Sequence, residues 1–107
     1  MKKEWIALAT ASLLLPCVAQ ADAAADMQAL ADKNGCFACH GMQSKVVGPG
    51  FAEVAAKYKG DGQAAERLGR KIRDGGKGVW GPVPMPSHGN LGEADARKLA
   101  EWVLSAG

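Results

Sequence analysis

The sequence is poor in cysteine and in aromatic residues, and it has no strand-like pattern. Only three cysteines occur among 107 residues, and Phe, Trp and Tyr together make up 6% of the chain. No segment alternates apolar and polar residues with a period of two, so β-strands are not expected. Basic residues (13) and acidic residues (11) nearly balance, and no basic block stands out. These absences argue against a disulfide-rich scaffold, a β-sheet fold and nucleic-acid binding.

The first 21 residues have the features of a secretory signal peptide. A positive start (Lys2–Lys3) precedes an apolar run over residues 5–15 and an A-x-A cleavage site at residues 19–21. The run is shorter than the ~20 apolar residues that a membrane span requires. We therefore predict a cleaved signal peptide over 1–21 and one mature domain over 22–107, without a membrane span.

The predicted mature domain is too small to be stable without additional support. A chain of this length forms a limited core and usually relies on a disulfide, a metal or a cofactor. Cys17 leaves with the signal peptide, so that only Cys36 and Cys39 remain. A disulfide between them would close a very short loop and add little restraint. We therefore expect a metal or a cofactor to act through this motif.

Apolar periodicity predicts an all-α domain with four helices. These cover residues 23–33, 51–58, 64–73 and 93–104, and Asn34–Gly35 is typical of a left-handed helix end. Six apolar residues are candidates to exclude water from a bound group: Leu68, Ile72, Val79, Val83, Leu99 and Val103.

A long segment without helical pattern, residues 75–90, separates the last two helices. It contains five glycines and three prolines. Prolines restrict the backbone, and irregular segments of this length in small domains are usually functional. We expect a shaped loop with a role in the site.

The motif Cys36-Phe37-Ala38-Cys39-His40 is typical of covalent haem attachment. Two thiols at this spacing reach the two vinyl groups on neighbouring edges of one porphyrin. The histidine that follows projects over the ring towards the iron.

Two other interpretations of the motif are less favoured. A redox dithiol normally opens a helix that follows a strand, and no strand is predicted before Cys36. A structural zinc site requires four ligands, and His88 is the one remaining histidine or cysteine that the mature chain offers.

A methionine commonly provides the second axial ligand in cytochromes c. Met27 lies on the apolar face of the first predicted helix, and Met42 is too close to His40 to reach the opposite face of the ring. Met85 lies 45 residues downstream of His40, with a proline on each side. We predict Met85 as the ligand, while a packing role for Met85 and ligation by His88 remain alternatives.

Four segments, CFACH, VGPGFAEVAAKY, GVWGPVPMP and LAEWVLS, resemble the small bacterial class I cytochromes c of the cytochrome c-551 type. The resemblance covers nearly all of residues 22–107. It implies an all-α class I cytochrome c fold, with about four helices around one covalently bound haem c. It also implies a periplasmic one-electron carrier rather than an enzyme.

The resemblance further implies roles for two residues outside the motif. The carbonyl of Pro49 would accept a hydrogen bond from Nδ1 of His40, and the indole N–H of Trp80 would donate to a haem propionate. The family often has an asparagine after the PMP motif that contacts the methionine sulfur, but Ser87 and His88 occupy this region here. A histidine near the haem edge would make the reduction potential depend on pH.

The partners implied are redox proteins: a reductase as donor and an oxidase or a nitrite-reductase-type enzyme as acceptor. The chain is expected to be a monomer. Lys33, Lys45 and Lys77 would either steer acidic partners or be ordinary solvated lysines. The alternative function is a haem enzyme or gas-binding sensor with an open or labile sixth coordination site.

Overall fold

A computed structural model of the protein describes residues 9–12 and 18–107. Its helices are α1 (Val18–Lys33), α2 (Phe51–Lys57), α3 (Ala64–Asp74) and α4 (Glu93–Leu104). The positive start of the predicted signal peptide and part of its apolar run lie outside the described residues. Over the described ranges, no helix combines the length and apolar character that a membrane crossing needs.

The all-α prediction is confirmed, because the part of the chain that the structure describes contains four helices and no strand. The bounds of α4 are as predicted, while α2 and α3 begin at the predicted residues and each ends one residue away from its predicted end. The helix α1 begins earlier, at Val18 rather than at residue 23, because its first turns are rich in alanine and need no apolar stripe to remain helical. The predicted cleavage site at residues 19–21 therefore lies within α1 in the full chain.

The core lies where α4 packs against α1, α2 and α3. Its buried apolar members are mostly alanine: Ala31, Phe51, Val54, Ala55, Ala64, Leu91, Ala96, Leu99 and Ala100. Among the described residues, no large side chain is completely buried. The helices alone therefore bury little apolar surface, and much of their apolar side-chain area faces a cleft instead.

The segment between α3 and α4 is held by hydrogen bonds rather than by regular structure. Gly76 and Met85 exchange both backbone hydrogen bonds, at 3.1 and 2.7 Å. Further along, the N–H of His88 donates to the carbonyl of Ile72, at 3.0 Å, near the end of α3. The segment is a shaped loop, as its prolines predict, and Met85 lies at a fixed point in its backbone.

Candidate haem-binding site

Cys36, Cys39 and His40 are placed by a single 3₁₀ turn, Cys36–Ala38, that follows α1. Gly35 ends α1 in the predicted left-handed conformation, with φ 72°. The N–H groups of Cys39 and His40 both donate to the carbonyl of Cys36, at 3.2 and 3.0 Å. Both thiols are half-buried and face one cleft together with the imidazole. The local turn therefore brings the three groups of the motif to the same surface.

The thiol of Cys36 does not have the character of a redox-active dithiol. Desolvation by burial raises its pKa, and the neighbouring Cys39 adds to the rise. Reactive dithiol cysteines have a lowered pKa, which provides the nucleophilic thiolate. The environment of Cys36 therefore disfavours the redox-dithiol interpretation.

The ring of His40 is oriented by a hydrogen bond to the carbonyl of Pro49, at 2.7 Å. A carbonyl only accepts, so Nδ1 carries the proton and donates. The lone pair of Nε2 is then available to a metal, and a ligand histidine is commonly fixed by such a bond through its other nitrogen. This is the contact that the resemblance implies for Pro49.

Two neighbours pack against the His40 ring. Phe51, the first residue of α2, stacks on it with the ring centroids 5.1 Å apart and the planes 22° apart. The backbone at Gly48 also approaches the ring so closely that a Cβ there would lie 2.9 Å from Cε1. The ring is therefore held by packing as well as by its hydrogen bond.

Replacing Gly48 by alanine is expected to destabilise the protein. The new Cβ would also lie 3.2 Å from Nδ1 of His40, so the ring or the backbone must move and the bond to Pro49 weakens. Overpacking of this kind costs about 1–3 kcal/mol. Denaturant unfolding followed by circular dichroism measures it. Gly62→Ala is the matched control, since a Cβ at Gly62 meets no atom within 4 Å. Equal stability of both variants would contradict the prediction.

Met85 lines the same cleft as His40, and its side chain is half-buried. The other candidates do not line it. Met27 packs against the core cluster, and Met42 is an exposed side chain with 39% of its surface accessible. Of the methionines between residues 22 and 107, Met85 is therefore the one that shares a cavity with the motif.

His88, the rival ligand, faces away from this cavity. Its Nε2 donates to the carbonyl of Asn34 at 3.2 Å, and the residue does not line the cleft. The structure therefore does not support His88 as an iron ligand, as a zinc ligand with the cysteines, or as a titrating group at the haem edge. Within residues 9–12 and 18–107, no three His, Cys, Asp or Glu side chains cluster in a way that would hold a metal ion.

The cleft is large and has mostly apolar walls. Its empty volume is about 1250 Å³, including space open to solvent. All six residues predicted to exclude water line it: Leu68, Ile72, Val79, Val83, Leu99 and Val103. Val79 and Val83 are nevertheless 48% and 61% exposed. Apolar surface of this kind usually has a partner, and a flat apolar macrocycle between the two walls would cover it.

The charged residues that line the cleft are all basic. They are Lys45, Lys71 and Lys77, and no acidic residue lies among the lining residues. This charge is complementary to a group that carries carboxylates, as haem does. Lys71 was not among the residues singled out from the sequence, although its position beside Ile72 and three residues after Leu68 places it on the same side of α3. This spacing from Leu68 and Ile72 is the sequence feature that could have identified Lys71 as a residue of the cleft.

Trp80 also lines the cleft and is 39% exposed. The Nζ of Lys57, the last residue of α2, lies 5.4 Å from the centroid of its ring. A cation over an indole face is attractive and limits the movement of the ring. Two cysteine thiols, an imidazole, a thioether, apolar walls and basic side chains thus surround one cavity, and these groups fit a covalently bound haem.

Comparison with known proteins agrees with this fit. The sequence profile of the family described as Cytochrome c matches residues 24–107. The chain is 46% identical to cytochrome c-552 of Nitrosomonas europaea over 106 residues, which is 98% of each protein. It is 44% identical to cytochrome c-551 of Pseudomonas aeruginosa over 98 residues, covering 92% of this chain and 89% of the relative.

Solved structures lead to the same family. The crystal structure of wild-type Nitrosomonas europaea cytochrome c552 superposes with a TM-score of 0.70 at 47% identity, covering 78% of this chain and 99% of that one. The fold is therefore the all-α class I cytochrome c fold. The family is defined by a c-type haem with iron, and Cys36 and Cys39 fit its attachment motif. The chain belongs to the cytochrome c family of electron carriers and carries a covalently bound c-type haem.

Proposed function

We propose that this chain is a periplasmic one-electron carrier whose haem iron is held by His40 and Met85. The observation that supports this proposal is that both residues line the same cavity as Cys36 and Cys39. His40 presents Nε2 because Nδ1 is engaged by Pro49, and Met85 is held through its hydrogen bonds to Gly76.

The haem iron supplies reversible one-electron chemistry, and the protein residues fix its surroundings. Cys36 and Cys39 would hold the ring by thioether bonds. His40 and Met85 would both remain bound in either oxidation state, so that little has to move when an electron arrives or leaves. The apolar walls exclude water and disfavour the extra charge of the oxidised state, which raises the reduction potential.

Trp80 and Lys71 are proposed to contact the haem carboxylates. Both line the cleft, one with an indole N–H donor and the other with an ammonium group. The aliphatic end of Lys71 lies against the backbone of Gly76, where a Cβ would be 3.2 Å from Cε. Lys71 is thus held next to Gly76, the residue of the loop that is hydrogen-bonded to Met85.

A redox titration followed by optical spectroscopy tests the proposed function. We expect a single one-electron transition and, in the oxidised protein, the charge-transfer band between a methionine sulfur and iron. Rapid binding of CO to the reduced protein, together with absence of that band, would contradict the proposal. It would favour a haem enzyme or a gas-binding sensor with an open sixth position.

The proposed periplasmic location rests on the predicted signal peptide, residues 1–21. The family profile begins at residue 24, just after the predicted cleavage site, and the alignment with the Nitrosomonas europaea relative extends through the leader-like residues. Edman sequencing of the protein from a periplasmic extract is expected to begin at Asp22. An N-terminal Met1 on the haem-containing protein would contradict cleavage.

Electron transfer with the proposed partners, a reductase and an oxidase or nitrite-reductase-type acceptor, is expected to slow as ionic strength rises. Lys45 and Lys77 are exposed at the cleft and would steer acidic partners, and salt screens such attraction. Stopped-flow rates with an acidic partner at low salt are expected to fall about tenfold in Lys77→Glu.

The matched control is Lys98→Glu, which changes the net charge equally on α4 at an exposed lysine outside the cleft. This variant is expected to retain most of the rate. Equal effects of the two substitutions would mean that net charge, rather than the cleft rim, controls the encounter.

A further inference from the structure

His88 joins two segments that flank the haem cleft and are far apart in the sequence. Its Nε2 lies 3.2 Å from the carbonyl oxygen of Asn34, 54 residues earlier. Asn34 follows α1 and comes two residues before Cys36, while His88 comes three residues after Met85. The bond therefore connects the segment that carries the attachment motif to the loop that carries Met85.

The bond defines the state of the imidazole. Because the carbonyl of Asn34 can only accept, Nε2 carries the proton and donates it. The other ring nitrogen, Nδ1, is buried and has no hydrogen-bond partner among the described residues. Buried polar atoms without a partner are rare and unfavourable. The unpartnered Nδ1 makes this ring position unfavourable. That the ring is nevertheless held here indicates that the hydrogen bond of Nε2 to Asn34 is important.

A second side chain makes a parallel contact. The amide nitrogen of Asn90 donates to the side-chain oxygen of Asn34 at 3.2 Å, and the side-chain nitrogen of Asn34 donates to the carbonyl of Leu30 at 2.8 Å. Asn34 therefore accepts hydrogen bonds from the loop through both its backbone carbonyl and its side-chain oxygen. Its own side-chain nitrogen donates to the last turns of α1.

The remaining hydrogen bonds of residues 75–90 lie within the loop, join its end to Leu91, or lead to α3. Met85 bonds to Gly76, and the backbone N–H of His88 bonds to Ile72. These bonds place Met85 relative to α3, but they do not determine its distance from the turn that carries His40. Among the described residues, the hydrogen bonds that join residues 84–90 to the end of α1 are those of His88 and Asn90.

We propose that His88 is a positioning residue for Met85. By bonding to Asn34, it holds the loop at a set distance from the attachment turn and thereby keeps Met85 in the cleft that it shares with His40, where its sulfur would bind the iron. The proposal rests on the ligand pair His40 and Met85. Without the bond, the segment around Met85 opens more often, and an external ligand replaces the sulfur more easily.

The experiment compares three substitutions in the haem-containing protein: His88→Gln, His88→Asn and His88→Leu. Glutamine places an amide N–H near the position of Nε2 and can still donate to Asn34. Asparagine places its nitrogen near Nδ1, and leucine has no donor. The first readout is hydrogen exchange of the Met85 amide by NMR. The second is titration of the oxidised protein with imidazole, which competes with the methionine sulfur.

Both the exchange rate and the apparent affinity for imidazole are expected to rise about tenfold in His88→Leu and His88→Asn, as the loss of one hydrogen bond implies. The glutamine variant is expected to stay close to the wild type. Ser87→Ala is the control in the same loop, because the Ser87 hydroxyl makes no hydrogen bond to the described residues. Equal behaviour of the leucine and glutamine variants would overturn the proposal.

The same samples distinguish a failure of the ligand pair from a failure of the positioning role of His88. Absence of the sulfur-to-iron band in the oxidised wild type would remove the ligand pair, and the positioning role would fall with it. If the band is present but neither readout changes in His88→Leu, the ligand pair stands and the role of His88 alone is overturned.

Discussion

A variant with alanine at both Cys36 and Cys39 is expected to lack haem and to be largely unfolded. The buried core of the described residues is small and mostly alanine, while the valines and other apolar residues line the cleft in which the haem is proposed to lie. Each ~100 Å² of apolar surface left uncovered costs about 2.5 kcal/mol. A domain has only about 5–15 kcal/mol of stability in total, so the loss of a few such areas exceeds it.

Far-UV circular dichroism and the visible absorption spectrum measure this outcome. The helical signal and the haem bands should disappear together in the double variant. Cys17→Ala is the control, because this cysteine is predicted to leave with the signal peptide and lies outside the described residues. A native-like circular dichroism spectrum without haem would show that the helices fold unaided and would contradict the prediction.

The second large effect is expected from Met85→Ala. If Met85 is the ligand, as proposed, loss of the thioether is expected to remove the charge-transfer band of the oxidised protein and to allow CO to bind the iron. The reduction potential should fall, by on the order of 0.1 V, within the roughly 0.8 V range over which axial ligands tune haem proteins. The fall reflects the preference of a thioether for the reduced iron.

Spectroelectrochemistry and CO binding of the purified variant check this prediction. Met42→Ala is a matched control, because it removes the same side chain at an exposed site outside the cleft. It should keep the band, the potential and the resistance to CO. A wild-type potential in Met85→Ala would mean that another group holds the iron, and the proposed ligand pair would be abandoned.

The local parts of this protein were predictable because local sequence determines them. The bounds of α4 could be predicted from its apolar stripe and its acidic first turn. The left-handed conformation of Gly35 could be predicted from its place after Asn34 at the end of α1. The first residue of α1 could not be predicted from the apolar pattern, because an alanine-rich stretch is helical without any periodic signal. The basic residue Lys71 was missed because a lysine on a helix is ordinarily solvated, and only the cavity shows that it faces inward.

The attachment motif is a second feature that sequence alone determines. Two thiols and an imidazole within five residues are brought together by one turn of backbone, so their spacing is sufficient to indicate their chemistry. Met85 could be selected by elimination among few methionines and by its prolines, but its place in the cleft could not be read from that.

Tertiary structure decided the contacts that join distant segments. The approach of Gly48 to the His40 ring depends on how the backbone returns towards α2, and the position of Met85 depends on its bonds to Gly76. His88, three residues from Met85, could equally have faced the iron or the solvent. Its Nε2 instead bonds to the carbonyl of Asn34, and no local pattern encodes a hydrogen bond between residues 54 positions apart.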